Sequence, residues 1–125
     1  MRVLVDSSVW IAHFRFSNAV LSDLLNLDSV LMHPMVLAEL ACGTPPKPRE
    51  SILKYLGNLQ PAEQVSLTEL MAFIERHKLF GLGCGVIDLL LLASALITPD
   101  TRLWTLDKRL ANLATRFNIG FQSPG

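Results

Sequence analysis

Short apolar runs alternate along the chain with longer segments in which apolar residues recur every three to four positions. The run Val3-Leu4-Val5 is continuous and β-branched, which is typical of a strand covered on both faces. Comparable runs predict strands at 29–32 and 102–106, a weaker strand at 64–67 and a short edge strand at 119–121. Helical periodicity predicts helices at about 9–13, 18–26, 34–42, 49–59, 68–81, 86–97 and 108–117. Because strands alternate with helices, we expect an α/β fold in which a mainly parallel sheet lies in a three-layer arrangement.

The length and composition fit one domain with a well-filled core. The chain has 125 residues, of which 50% are hydrophobic and 18% charged, and its mean hydropathy is +0.38. This composition is too apolar for a disordered chain, and two separate cores would each be marginally small. The most apolar segment, 86–97, is too short to span a bilayer, and the N-terminus shows no signal-peptide pattern. We therefore expect a cytoplasmic protein without a membrane segment.

Charge and cysteine content exclude further classes. Lys and Arg total 11, as do Asp and Glu, so the net charge is zero. This balance argues against a histone-like binder, which relies on excess basic residues, but it does not exclude an enzyme that acts on nucleic acid. Cys42 and Cys84 are far apart and have no nearby cysteine or histidine partners. They suggest neither a disulfide framework nor a zinc site.

Four acidic residues lie in unusually apolar surroundings. They are Asp6, Glu39, Asp88 and Asp107. Capping or a favourable helix dipole explains each aspartate taken alone, since acids are common at helix starts. Glu39 is different because it lies within a predicted helix with apolar neighbours on both sides. Carboxylates in such positions are usually paired, capping or bound to a cation.

Topology predicts that these acids share one edge of the sheet. Asp6 and Asp107 follow directly after predicted strands, and ligands of open parallel sheets bind at the carboxyl ends of strands. Asp88 lies in the first turn of the most apolar helix. Glu39 lies in the helix after the second strand, and we expect its side chain to reach the same crevice if that face of the helix is turned toward it. Carboxylates about 4 Å apart would repel by roughly 4 kcal/mol per pair at an effective dielectric of 20. A cluster of oxygen ligands without Cys or His favours Mg²⁺ or Mn²⁺ over zinc.

Four segments resemble, in order and spacing, the motifs of PIN-domain ribonucleases, especially the VapC-type toxins of bacterial and archaeal toxin–antitoxin pairs. The segments are 6–11 (DSSVWI), 39–43 (ELACG), 88–95 (DLLLLASA) and 105–107 (TLD). The resemblance covers residues 3 to 110. It departs from the family pattern in the plain leucine run after Asp88 and in the glycine-rich turn at 81–85.

The resemblance implies a PIN-like sheet flanked by helices, with Ser7 and Thr105 as hydroxyl residues that support metal or substrate binding. It also implies Mg²⁺ or Mn²⁺ as cofactor, RNA as substrate, a homodimer, and a cognate antitoxin protein whose tail occupies the site. We expect a metal-dependent endoribonuclease that is the toxin of a type II toxin–antitoxin system. The catalytic and metal-binding residues that the resemblance implies are Asp6, Glu39, Asp88 and Asp107.

Other functions share parts of this pattern. A PIN-domain nuclease of RNA processing, outside any toxin–antitoxin pair, would carry the same motifs. A receiver-like module needs an early acidic pair and a late lysine, whereas Asp6 stands alone and no such lysine is evident. Haloacid-dehalogenase phosphatases need Asp-x-Asp, which Ser8 breaks. A non-catalytic interaction module is disfavoured because all four acids are present.

Two further interpretations stay open at the level of sequence. Trp10 and Trp104 adjoin the candidate acids, where they would either stack on bases or fill the core. The basic residues near the motifs would contact phosphates or lie on solvated faces; they are Arg15, Lys47, Arg49, Lys108 and Arg109. Setting the four candidate ligands aside leaves 7 acids against 11 basic residues. We therefore expect RNA affinity to depend on bound metal.

Overall fold

The computed structural model describes residues 1–123 and consists of four strands and seven helices in that range. The strands are β1 Arg2–Val5, β2 Val30–Met32, β3 Gln60–Pro61 and β4 Thr101–Trp104. The helices are α1 Ser7–Phe16, α2 Ala19–Asn26, α3 Pro34–Cys42, α4 Arg49–Gly57, α5 Leu67–His77, α6 Val86–Ile97 and α7 Lys108–Arg116. The predicted α/β class and the order of the main elements are confirmed.

The four strands form one parallel sheet in the order β3-β2-β1-β4. β1 is central, and Val3, Leu4 and Val5 are all completely buried, as expected for a strand covered on both faces. The helices pack against one another in two groups, α3 with α1 and α4, and α6 with α5 and α7. Because every strand pairs in parallel, the carboxyl ends of β1 and β4 lie at the same edge of the sheet.

The predicted strand at 64–67 is wrong, and the observed third strand lies earlier, at Gln60–Pro61. Ser66 instead caps α5, accepting a hydrogen bond from the Glu69 N–H while the Glu69 carboxylate accepts one from the Ser66 N–H. This reciprocal capping ends the extended segment before Leu67. Pro61 is tolerated because β3 is an edge strand, where the missing proline N–H leaves no carbonyl of a neighbouring strand without a hydrogen bond.

The last strands are also shorter than predicted. β4 ends at Trp104 rather than at 106, because the side chain of Thr105 and the backbone of Leu106 bond to residues of the β1–α1 junction instead. The predicted edge strand at 119–121 is reduced to one parallel bridge between Leu103 and Gly120. Asp107 therefore lies three residues beyond the end of β4, not directly after it.

Both tryptophans belong to the core. Trp10 is 1% exposed and Trp104 is 4% exposed, so the alternative in which they stack on bases is wrong. Within the part of the chain that the structure describes, the longest helix falls short of the length and apolar character needed to cross a membrane.

Candidate active site

Asp6 lies at the centre of the sheet edge where β1 and β4 end. Its N–H donates to the Trp104 carbonyl at 2.9 Å, which holds the end of β1 against the end of β4. Asp6 is also the N-cap of α1, and its Oδ1 accepts from the Ser7 N–H at 2.8 Å. The side chain is only 5% exposed, so the fold buries a carboxylate at this point. Such burial is costly unless the charge is hydrogen-bonded or bound to a cation.

Hydroxyl groups supply most of the remaining hydrogen bonds to Asp6. Thr105 Oγ1 donates to Asp6 Oδ2 at 2.7 Å, and Ser8 Oγ donates to the same oxygen at 2.9 Å. Ser7 Oγ lies 3.4 Å from Asp6 Oδ1. Hydrogen bonds to a charged group are stronger than neutral ones, so these donors offset part of the cost of burying the carboxylate. Ser7 and Thr105, both predicted as supporting residues, therefore contact Asp6 directly.

The same hydroxyls connect Asp6 to two other candidate acids. Ser7 Oγ donates to Glu39 Oε1 at 3.0 Å, so one hydroxyl lies between the Asp6 and Glu39 carboxylates. Thr105 Oγ1 accepts from the Asp107 N–H at 3.1 Å. The Glu39 carboxylate is thus linked to Asp6 through the Ser7 hydroxyl. Asp107 is linked to Asp6 by its backbone N–H, through the Thr105 hydroxyl.

Ser8 is the site residue that the sequence interpretation missed. Besides donating to Asp6, its hydroxyl accepts from the Leu106 N–H at 3.0 Å. It therefore fastens the segment after β4 to the start of α1. The only signal in the sequence is the second serine of Asp6-Ser7-Ser8, and a serine at the start of a helix is ordinarily explained as a cap.

Asp88 approaches the site from the start of α6. Its Oδ2 accepts from the Gly85 N–H at 3.3 Å, and its side chain is half-buried. Partial burial raises the pKa of Asp88, and the negative charges of Asp6 and Asp107 raise that pKa further, while the Gly85 hydrogen bond lowers it. Asp6 and Asp107 therefore lie near enough to Asp88 for their charges to act on it.

Asp107 is the most exposed of the four acids. It caps α7, accepting at Oδ1 from the Leu110 N–H at 2.9 Å. Asp107 and Asp6 therefore do cap helices, as the simpler interpretation of the sequence allowed. Capping uses part of each carboxylate and leaves lone pairs free for another partner, since an ionised carboxylate accepts at about four sites.

The glycine-rich turn at 81–85 positions α6 relative to α7. Gly83 has a φ of +83°, and a Cβ there would lie 2.8 Å from Arg109 Nη1. Arg109 Nη1 in turn donates to the Gly83 carbonyl at 3.4 Å. Glycine is needed at this position both for the left-handed backbone and for the close approach of Arg109. The turn therefore holds the helices that begin near Asp88 and Asp107 next to each other.

The oxygen atoms of these residues are of the type that binds a divalent cation, but the observed distances between the side chains are too large for a metal site. Hard cations such as Mg²⁺ prefer carboxylate and hydroxyl oxygens, which are the groups found here. Within residues 1–123, however, no three His, Cys, Asp or Glu side chains stand close enough together to form a metal site. The sequence-based expectation of tightly packed carboxylates is therefore not met by the observed side-chain positions. Glu39 is half-buried and Asp107 is exposed, so neither is enclosed by the core as Asp6 is.

Thr105 provides a test of this hydroxyl network. Replacing Thr105 with Val removes its 2.7 Å bond to Asp6 and the acceptor for the Asp107 N–H. We expect the free energy of unfolding to fall by about 1–2 kcal/mol, because a buried carboxylate loses a donor. Urea denaturation measures this change. Thr68→Val on the exposed surface of α5 is the matched control, and equal effects of the two substitutions would contradict the role given to Thr105.

Acids arranged at the carboxyl edge of a parallel α/β sheet, with hydroxyl residues between them, are what the PIN-domain resemblance implies. The chain belongs to the PIN-domain family, since the family model described as PIN domain matches residues 3–115. Its relatives include proteins named Ribonuclease VapC32 from two strains of Mycobacterium tuberculosis, CDC 1551 / Oshkosh and ATCC 25618 / H37Rv. Each is 43% identical over 108 residues, which covers 86% of this chain and 86% of the relative. The resemblance to VapC-type PIN domains is thus confirmed.

Proposed function

We propose that this protein is a metal-dependent endoribonuclease that hydrolyses RNA phosphodiester bonds. The observation that carries the proposal is the buried Asp6 carboxylate, held by hydroxyls that lead to Glu39 on one side and Asp107 on the other. A fold that needed only a helix cap at Asp6 would have no reason to bury this carboxylate and connect it through hydroxyl groups to two further acidic residues. The ribonuclease name of the 43%-identical relatives supports the same reaction.

The four acids are assigned different tasks by their surroundings. Asp6 is rigidly held and buried, so we assign it the fixed position about which the site is built. Asp88 is half-buried at the start of α6, and the adjacent negative charges favour either a proton or a cation there. Glu39 contacts the Ser7 hydroxyl beside Asp6, and Asp107 is the exposed acid at the start of α7. We propose all four as catalytic and metal-binding residues, with Ser7 and Thr105 in support.

Mg²⁺ or Mn²⁺ is the cofactor that these residues would hold. When bound, such a cation makes water more acidic and offsets negative charge on the phosphodiester. The role of the chain is then to orient the oxygens. Ser7 has a single hydroxyl proton, so donating it to Glu39 leaves Asp6 Oδ1 with only the Ser7 N–H from that residue. This leaves acceptor capacity on Asp6 that faces the site.

Metal addition and removal test the proposed function. With Mg²⁺ or Mn²⁺ present, we expect cleavage of single-stranded RNA at internal positions, and with a chelator we expect none. The same cations should raise the midpoint of thermal unfolding, because they relieve repulsion between the carboxylates. The measurements are an RNA-cleavage assay with mapped product ends and a melt at matched ionic strength.

Buffer free of divalent cations, with NaCl added to the same ionic strength, is the control for a general salt effect in both measurements. Undiminished cleavage in the chelator would contradict metal dependence while leaving the ribonuclease proposal in place. No cleavage of any RNA with metal present would contradict the ribonuclease proposal itself.

We further propose that the protein is the toxin of a type II toxin–antitoxin pair and that it forms a homodimer. The VapC name of its relatives supports the first point. Exposed apolar side chains near the start of α6, including Phe80, Leu82 and Val86, support a protein contact on that side.

A PIN-domain nuclease of RNA processing is the second candidate. A short reading frame directly upstream that encodes a DNA-binding N-terminus would favour the toxin. A cytoplasmic location stays a prediction of the sequence.

A further inference from the structure

A cavity of about 210 Å³ opens beside Glu39, between α1 and α3. Ile11, Phe14 and Arg15 of α1 line one side, and Glu39 and Leu40 of α3 line the other. We refer to this space as the Glu39 cavity. Since Glu39 also bonds to Ser7 beside Asp6, this residue belongs both to the cavity lining and to the candidate active site.

Arg15 is the cation of the Glu39 cavity, and its charge is not used within the fold. In the part of the chain that the structure describes, its guanidinium group makes no salt bridge and no hydrogen bond. Two of the other arginines singled out by the sequence are engaged: Arg49 donates to the Ala41 and Gly43 carbonyls, and Arg109 donates to the Gly83 carbonyl. Arg15 is exposed and free to contact an anion from outside.

The remaining lining of the cavity is mostly apolar. Ile11 is 48% exposed and contributes an aliphatic surface to the lining. Phe14 is partly buried and presents an aromatic ring, the kind of surface on which unpaired bases stack. The volume lies below the roughly 300–1,000 Å³ of pockets for drug-sized ligands, so the cavity suits one planar group rather than a longer molecule.

Charge decides how a nucleotide would lie here. The Glu39 carboxylate in the lining disfavours a phosphate inside the cavity, whereas a neutral base meets no such repulsion. Arg15 then attracts a phosphate on the same strand at the rim. An apolar cavity with one unpaired cation, next to acids proposed to act on phosphodiesters, matches single-stranded nucleic acid in both shape and charge.

Resting on the proposed function, we propose that the Glu39 cavity is a subsite for one nucleotide of the RNA substrate, adjacent to the bond that is cut. The base lies against Ile11 and Phe14, and a flanking phosphate binds Arg15. Sequence preference at that nucleotide is therefore set on the α1 side of the site, while the acids themselves read only the backbone.

Steady-state cleavage kinetics test the subsite in the full-length protein with metal present. We expect Arg15→Ala to raise KM for single-stranded RNA about tenfold and to leave kcat within about twofold, because a binding contact outside the reacting atoms is lost. The dependence of log KM on log salt should become shallower by about one unit. Arg76→Ala, an exposed arginine on α5, is the matched control and should change neither quantity.

Abasic substitution of the RNA locates the base. Removing the base at one position flanking the cleaved bond should raise KM for the unaltered protein by about tenfold. The same substitution should have little further effect in Ile11→Ser, whose contact with the base is already weakened. A thermal melt of each variant checks that it is folded, and both altered side chains are exposed enough to be replaced without opening the core.

The outcomes separate this proposal from the one it rests on. RNA cleavage in which Arg15→Ala behaves like Arg76→Ala overturns the subsite and leaves the proposed function intact. Equal sensitivity to abasic sites in the unaltered protein and in Ile11→Ser also overturns it, as does a cavity that binds an acidic peptide but makes no difference to RNA. No cleavage by the unaltered protein overturns the function and the subsite together.

Discussion

Asp6→Asn is expected to lower the rate of RNA cleavage by at least about 100-fold. Asn keeps the shape of Asp and an oxygen for capping α1, but it removes the negative charge at the centre of the proposed site. Loss of several kcal/mol of charge stabilisation in the transition state corresponds to a rate effect of this size or larger. The measurement is kcat/KM on a single-stranded RNA whose cleavage site has been mapped.

The same substitution should leave the fold intact. Asn is as good an N-cap as Asp, and removing the Asp6 charge relieves repulsion with Asp88. We expect the free energy of unfolding to fall by about 1–3 kcal/mol without loss of the fold, because an amide NH2 group replaces Asp6 Oδ2, the oxygen that accepts from Thr105 and Ser8. Asp23→Asn, an exposed acid on α2, controls for the loss of one negative charge from the protein. Full activity in Asp6→Asn would remove the basis for the assigned site.

The largest stability effect is expected in the core of α6. Leu91 is completely buried within a helix that packs against β4, α5 and α7. Leu91→Ala leaves a cavity that neighbouring elements can only partly close, and such changes cost about 2–5 kcal/mol. We expect a loss of about 3 kcal/mol and a fall in the melting temperature of roughly 10 °C. Urea denaturation with an unchanged m-value measures the loss.

Leu27→Ala provides the matched substitution at the surface, since Leu27 is 72% exposed at the end of α2. Its free energy of unfolding should change by less than about 0.5 kcal/mol. If Leu91→Ala were as mild as Leu27→Ala, α6 would not be the central packing element described above. Because α6 begins beside Asp88, its stability also bears on the site.

The parts of the fold that were predicted well are those with strong local signals. Helix α6 spans the predicted residues 86–97, because its apolar run is long and has glycine before it. Helix α3 begins at Pro34 and ends before Gly43, both of which act locally on the backbone. The prediction failed at 64–67, where alternating residues looked like a strand but the capping pair Ser66 and Glu69 started a helix. The alternating pattern and the capping pair favour different structures for the same residues, and only packing against the rest of the fold decides between them.

For the candidate site, too, local features were predictable from the sequence and the spatial arrangement was not. By itself, the sequence predicted which acids belong to the site, because carboxylates among apolar residues at strand ends and helix starts are costly unless used. It did not determine how Glu39 is rotated on α3, or that Ser7, Ser8 and Thr105 converge on Asp6. These facts depend on contacts between residues up to 99 positions apart, which no local pattern specifies.

Tertiary structure also decided which charges are free. Along the sequence, Arg15, Arg49 and Arg109 looked alike, as basic residues near the motifs. Folding commits Arg49 and Arg109 to backbone carbonyls and leaves Arg15 at the mouth of a cavity beside Glu39. The alternation of apolar and polar positions was therefore enough to predict a parallel α/β fold, because burial of each element depends on its own periodicity. The arrangement of the site was not, because it depends on how separate elements meet in space.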